Sequence, residues 1–494
     1  MSTASEASTH YDETHHRRRW AILAVLGLAQ LMVVLDATIV NIALPSAQAD
    51  LGFSDSNRQW IITAYALAFG SLLLFGGRLS DLLGRKWVFT GGLVGFAAAS
   101  AMGGLAQGFG VLVTARTLPG VFGALLAPAA LSLLTTTFTD PEERGKAFGI
   151  YGAIAGGGGA LGLLLGGILT EYLSWRWCLW VNLILAIPAA IAAVAMLVHH
   201  RRGEAHLDLP GTITSVLGLL ALVYGFSQAE ADGWASPTVM GFLAAAVVLL
   251  VLFVIIELKV SHPLLPMRVV LDRNRGGSYL GLTLASMALF GVFLFLTYYL
   301  QTTLGYSPVM TGVAFLPMIG AIMITATTST ALVLPRIGAR IPVTIGLALG
   351  AVGMVLFTQL GVDTSYVTHV LPGLLVTGLG LGLVFAIAFE VGTMGVEAGD
   401  AGVASAMVNT TQQVGGSIGT ALLSTIFATA VAGFLATSSS PDSPAAQAQA
   451  AVHGYSVAFW WSALIFLVAA VVCGLVMQST LPDHDPGAPR AIAA

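Results

Sequence analysis

The sequence predicts an all-α integral membrane protein with about fourteen spanning helices. Composition gives the first reason: of 494 residues, 56% are hydrophobic and only 9% are Asp, Glu, Lys or Arg. Soluble domains carry about 25% charged residues, and a water-exposed fold of this length could not hide so much apolar surface. Glycine gives the second: its 58 copies fit helices that pack closely in lipid. The third is the recurrence of apolar runs about 20 residues long, the length that crosses a bilayer.

The runs follow one another in order. The first, 20–44, comes after Arg17, Arg18 and Arg19. That basic start and the later Ala47-Gln48-Ala49 imitate a cleavable leader. The run is too long for one, however, and it contains Asp36, so it is read as a span. The next five lie near 58–77, 87–106, 109–134, 147–170 and 177–198. Two more, near 211–228 and 238–257, follow a basic linker with His199, His200 and His206. The last six lie near 277–300, 309–332, 341–360, 370–390, 402–431 and 455–478. Residues 432–454, rich in Ala, Ser, Pro and Gln, read as a mobile loop. The first 16 and last 14 residues read as disordered.

Positive residues gather in cytoplasmic loops. With the N-terminus inside, 17 of the 20 Lys and Arg fall on that side; Arg58 and Arg176 fall outside and Arg116 lies within the membrane. An incorrect helix count would scramble this asymmetry, so both termini are expected inside, in a plasma (inner) membrane. The small net charge of −4 and the lack of a basic patch interleaved with aromatics give no sign of a nucleic-acid partner. Cys178 and Cys473 both fall in apolar runs, which speaks against a disulfide framework or thiolate metal site. No cofactor is expected, and no metal, although the three linker histidines are noted.

An internal repeat is visible. Gly84, Lys86, Thr90, Gly92 and Leu93 coincide at one constant offset with Gly338, Arg340, Thr344, Gly346 and Leu347. Two six-helix halves related by duplication, with two extra helices between them, would produce it. The implied division is a tail at 1–19, a first bundle at 20–198, inserted helices and loops at 199–275, a second bundle at 276–480 and a tail at 481–494. Repeats of this kind place a binding site between the halves, near the midplane.

Ionisable residues inside a membrane are costly, by at least about 2.5–3.5 kcal/mol on insertion scales, and so are functional candidates. Asp36 lies about 24 Å from the inner face at 1.5 Å per residue, and Arg116, on an oppositely running helix, about 10 Å from the outer one. Both occupy the outer half of a core about 30 Å thick. They can pair, and Tyr65 falls at similar depth. Glu390 follows His369 by 21 residues and lies near the inner edge, either as an interfacial carboxylate or as a further proton site. Asn409, Gln412, Gln413 and Gly416 share one helix face, facing either a cavity or neighbouring helices. Tyr298, Tyr299 and Gln301 read as interface anchors. In the fifth run, Gly152, Gly156 and Ala160 form one small-residue stripe and Gly158, Gly162 and Gly166 another. Gly378-Leu379-Gly380-Leu381-Gly382 lies within an apolar span with no preceding strand, so it is not read as a nucleotide loop. No Walker A sequence occurs.

Several motifs together resemble the fourteen-spanner drug:proton antiporters of the major facilitator superfamily. Leu35-Asp36-Ala37-Thr38-Ile39-Val40-Asn41-Ile42-Ala43-Leu44-Pro45 is similar to their first-helix signature. Gly77-Arg78-Leu79-Ser80-Asp81-Leu82-Leu83-Gly84-Arg85-Lys86 resembles the superfamily loop after the second helix. Trp175-Arg176-Trp177 with Asn182, Tyr299-Leu300-Gln301, Gly305-Tyr306-Ser307-Pro308 and Thr411-Gln412-Gln413-Val414-Gly415-Gly416 match further stations. Two departures stand out: Pro119 occupies the place of a Gln in the fourth helix, and Gly162-Leu163 replaces a Gly-Pro step in the fifth.

The resemblance implies the major facilitator fold and proton-coupled export of a small organic molecule, with no enzymatic activity. It implies Asp36, tuned by Arg116, as proton carrier, with Glu390 as a second candidate. Tyr65, Asn41, Asn409, Gln412 and Gln413 would line the substrate path. Gly77, Arg78, Asp81, Gly84, Arg85 and Lys86 would form a cytoplasmic latch that holds the outward-open state. Partners would be the substrate, protons and membrane lipid. A metabolite importer or proton symporter stays open because of the missing fifth-helix proline, and so does a non-transporting sensor or scaffold.

Overall fold

The computed structural model describes residues 2–53, 55–198 and 208–479, and no strand occurs among them. Among the described residues, thirteen helices are long and apolar enough to cross a membrane, and a bent pair makes a fourteenth. All fourteen predicted runs are recovered. They are α1 (Ser2–Leu51), α2 (Asp55–Leu83), α3 (Arg85–Gly104), α4 (Phe109–Thr137), α5 (Pro141–Tyr172), α6 (Trp177–Met196), α7 (Leu209–Asp232) and α8 (Pro237–Glu257). After a short helix, Met267–Leu271, come α9 (Arg273–Thr303), α10 (Val309–Ile337), α11 (Arg340–Phe357), α12 (Tyr366–Thr393), α13 (Ala401–Thr437) and α14 (Pro444–Val476).

The helix pairings repeat. Within the first six helices the main contacts are α2 with α4, α3 with α4 and α6, and α1 with α4, α5 and α6. The last six show this set shifted by eight, α10 with α12, α11 with α12 and α14, and α9 with α12, α13 and α14, and add a contact of α13 with α14 that the first half scarcely makes. Gly84 and Gly338, which open the repeat seen in the sequence, both adopt positive φ, +93° and +71°. Each lets the chain turn into the third helix of its half, a backbone that L side chains resist. The halves meet along α5–α10 and α2–α13, two pairs exchanged by the same shift. The inserted hairpin α7–α8 sits beside this seam, with α7 against both α2 and α13.

α5 bends by 46° between Pro141–Gly159 and Leu161–Tyr172, directly after the run Gly156-Gly157-Gly158-Gly159, where small residues weaken the helix. Its two glycine stripes face different partners. A Cβ on Gly152 would sit 2.6 Å from the Ala386 Cα of α12, in the other half, whereas one on Gly162 would overlap Thr38 of α1. The Ala160 side chain lies outside the described residues.

Three expectations are corrected. Residues 2–16 are helical and continuous with α1; no Pro or Gly precedes Gly27 to stop propagation from the spanning segment. Most of 432–454 is also helical, with only residues 438–443 outside α13 and α14. Ser443 caps α14 by accepting from Ala446 N, Pro444 starts it and alanines extend it. Tyr299 is fully buried and donates its hydroxyl to Gly361 O at 2.9 Å, while Gln301 Nε2 is also shielded; the π-helical turn Tyr299–Thr303 rotates both inward, and only Tyr298 stays half exposed. The linker histidines His199, His200 and His206, and the tail 481–494, lie outside the described residues.

Candidate functional site

Asp36 and Arg116 meet in the interior of the first bundle. Arg116 Nη1 donates to Asp36 Oδ2 at 2.6 Å, and Nη2 lies 3.4 Å from the Asp36 carbonyl. The depth argument placed two residues 80 positions apart at one level, and the structure joins them. Asp36 has no exposed surface and Arg116 only 2%. Three further side chains complete the cluster. Asn182 Nδ2 of α6 donates to Asp36 Oδ1 at 2.7 Å and approaches the Ser100 hydroxyl of α3 at 3.3 Å. Asn182 belongs to a quoted motif, but nothing in the sequence gave it this role, and Ser100 carried no signal. Beneath the guanidinium lies the Tyr65 ring, 4.7 Å away, stacked on Phe69, and the Tyr65 hydroxyl has no hydrogen-bond partner. A void of about 10 Å³ adjoins Arg116, walled by Val40, Leu44, Ile61, Leu112, Trp175 and Leu179, room for about one water.

Asp36 therefore points away from the seam between the halves. Asn41, five residues on and about 140° around α1, is exposed. On α13, Gly416 faces open space and Gln413 packs across Gly70 of α2 beside Val223 of α7. Gln412 is half-buried and donates to Val408 O at 3.2 Å. Asn409 is buried and donates to Ser405 O at 2.9 Å. The shared face predicted for these residues thus runs from open space at Gly416 to the α2 seam at Gln413.

At one end of the seam three of the predicted latch residues, Gly77, Asp81 and Arg85, come together against α13. Asp81 at the end of α2 accepts from Gly402 N, in the first turn of α13, at 3.1 Å. A carboxylate suits a helix N-terminus, where unpaired N–H groups point outward. Arg85 Nη2 lies 3.3 Å from the same carboxylate. The approach needs glycine, since a Cβ on Gly77 would come 2.6 Å from the Ala406 Cβ. Lys86 turns away and donates to Val194 O at 2.8 Å. Nearby, Glu390 of α12 is buried with Arg144 of α5 facing it, Nε to Oε1 at 4.0 Å, while Glu390 Oε2 has no partner. This contact crosses between the halves, and the sequence offered Arg144 only as one more basic loop residue. Beside it the Thr330 hydroxyl, in a π-helical turn of α10, donates to Gly145 O of α5. At the opposite end Arg176 and Trp175 both bond the Asp50 carboxylate, tying α6 to the end of α1.

The Major Facilitator Superfamily profile matches residues 26–420. This chain is a major facilitator superfamily transporter. It is 50% identical to the "Puromycin resistance protein pur8" of Streptomyces alboniger, over 95% of this chain and 93% of that protein. It is 38% identical to the "Cephamycin export protein CmcT" of Amycolatopsis lactamdurans, over 94% of each chain. The structure resembles that of the human organic anion transporter MFSD10 with a TM-score of 0.63, covering 93% of this chain and 99% of that one at 16% identity, which speaks to the fold alone. The transporter is a multi-pass membrane protein and not an enzyme, and its likeness to export proteins spans nearly the whole chain.

Proposed function

We propose that this transporter exports a small organic molecule of the antibiotic kind, in exchange for protons, by alternating access across the plasma membrane. The observation that carries the reading is the Asp36 cluster. A carboxylate with no exposure, held by one cation and one amide, is costly in a bilayer. It is the kind of group that gains or loses a proton when its surroundings change. Arg116 at 2.6 Å is the cation that offsets this buried carboxylate, so movement that parts α1 from α4 would link proton uptake to conformation. The names of the relatives support export of antibiotics, and substrate would pass Asn41, Asn409, Gln412 and Gln413 on the seam side while Tyr65 stays with the proton cluster.

The distribution of basic residues supports both termini in the cytoplasm. The Asp81 latch then lies on the cytoplasmic side and is closed, which corresponds to an outward-facing state. Exchange of one proton for one monovalent cation moves no net charge, so the membrane voltage, about 2.3 kcal/mol per charge per 100 mV, helps only if a second proton travels. Glu390 is assigned that role. The test is resistance to a panel of antibiotics in a host stripped of its own pumps. Wild type confers resistance to at least one compound, and Asp36→Asn, present in the membrane at equal level, confers none. Undiminished resistance in Asp36→Asn would overturn proton carriage by Asp36.

A further inference from the structure

The inserted hairpin α7–α8 has its own buried acidic pair, which the transport reading does not use. Asp208 caps α7, its Oδ1 accepting from Gly211 N at 3.0 Å. Glu257 ends α8, its Oε2 accepting from Leu265 N at 3.0 Å. Each carboxyl thus has one satisfied oxygen. The other two, Asp208 Oδ2 and Glu257 Oε1, are buried without a hydrogen-bond partner, and both approach the same point beside Gly211, where a Cβ would overlap each of them. The side chains are enclosed, at 5% and 4% exposure. An ionised carboxylate only accepts, so two of them facing each other lack a donor and repel, at a cost that burial magnifies. One proton between them supplies the donor and removes a charge.

We propose that Asp208 and Glu257 form a two-carboxyl site that binds a single proton between Asp208 Oδ2 and Glu257 Oε1. The charged group facing the pair from α2 is Arg78, which is also within electrostatic reach of Asp81 and Asp400. Lys259 and His262, on the turn after α8, are exposed. Loss of the shared proton therefore places a second negative charge next to Arg78, in competition with Asp81 and Asp400. The hairpin in this way feeds proton concentration into the latch without touching the Asp36 cluster.

Infrared difference spectroscopy of the full-length protein in detergent tests the site, through the carbonyl band of a protonated carboxyl group. Glu257→Gln and Asp208→Asn should each remove the same single carboxylic-acid equivalent at neutral pH. An unchanged band in both, or loss in one alone, would show that no proton is shared. Asn also caps helices well, so Asp208→Asn should fold; if it does not, retention of the band in Glu257→Gln alone overturns the proposal. The coupling has its own readout, the distance between spin labels at the latch ends of α2 and α13. It should shift with pH in wild type and shift clearly less in Glu257→Gln, where the other proton-binding carboxyls remain, and an equal shift in both would sever the pair from the latch. Neither measurement needs substrate, so failure here leaves the export reading standing, and loss of resistance in Asp36→Asn says nothing about this pair.

Discussion

Removing Arg116 leaves Asp36 as an unpaired charge with Asn182 as its remaining donor. Breaking a buried pair from one side costs about 3–5 kcal/mol, whereas replacing both partners by neutral groups of similar shape costs far less. Arg116→Gln should therefore lower the thermal stability of the purified protein sharply, and Asp36→Asn with Arg116→Gln should recover most of the loss; a double variant no better than the single one would mean that the pair does not behave as a unit. Asp50 behaves differently, because it lies outside the spans. Its bonds from Arg176, then from Trp175, hold its carboxyl below the usual carboxylate range. A depressed value makes the tie to α6 a contribution present above the ordinary carboxylate pKa and lost only as pH falls through the lowered one. Melting curves should show no loss of this tie down to about pH 5, and Asp50→Asn should remove the acid-sensitive component. Charge and depth made Asp36 and Arg116 legible in the sequence. Asn182 and Ser100 were not, because a neutral polar residue in an apolar run gives no clue to its partner. The Arg144–Glu390 contact was hidden for another reason: it depends on how two bundles dock.

At the scale of helices, the length of the apolar runs and the basic loops were enough to locate every span, since length and hydropathy are local properties. The helical continuation of α1 and the Ala-rich start of α14 were misread because low hydropathy outside a span does not distinguish loop from helix. The two stripes of α5 were visible as spacing, but their assignment, one to α12 and the other to α1, needed coordinates. That assignment makes a distinction testable. Gly152 touches the other half, with the Ala386 backbone where a side chain would go, and overpacking such a contact costs about 1–3 kcal/mol. Gly152→Val should hold the Asp81 end of the seam open and abolish transport while the protein still reaches the membrane, measured as increased labelling of a cysteine placed at Ser405, which is buried in the first turns of α13. Normal transport by this variant would mean that α5 and α12 do not close on each other in the cycle.

For the molecule as a whole, the inserted hairpin poses the question of how two halves can rock with a helix bound to both. α7 holds α2 through the Thr63 and Ser227 hydroxyls, 2.9 Å apart, and through Trp60 against Tyr224. It holds α13 through Trp234, just past its C-terminus, whose Nε1 donates to Thr425 at 2.9 Å. A rigid helix cannot follow α2 and α13 at once if they move apart, so one of these attachments must yield in each cycle. Small interhelical hydrogen bonds in lipid, worth about 0.6 kcal/mol on average, are weak enough for either to do so. Cross-linking cysteines at Thr63 and Ser227 should therefore leave transport largely intact, and so should linking Trp234 to Thr425, because the untouched contact can still release. Linking both should arrest transport and restore it on reduction. Cys178 and Cys473 are buried, which favours clean reaction at the introduced sites. Full activity with both links in place would mean that α2 and α13 keep their separation, and the rocking of one half against the other would have to give way to motion within each half.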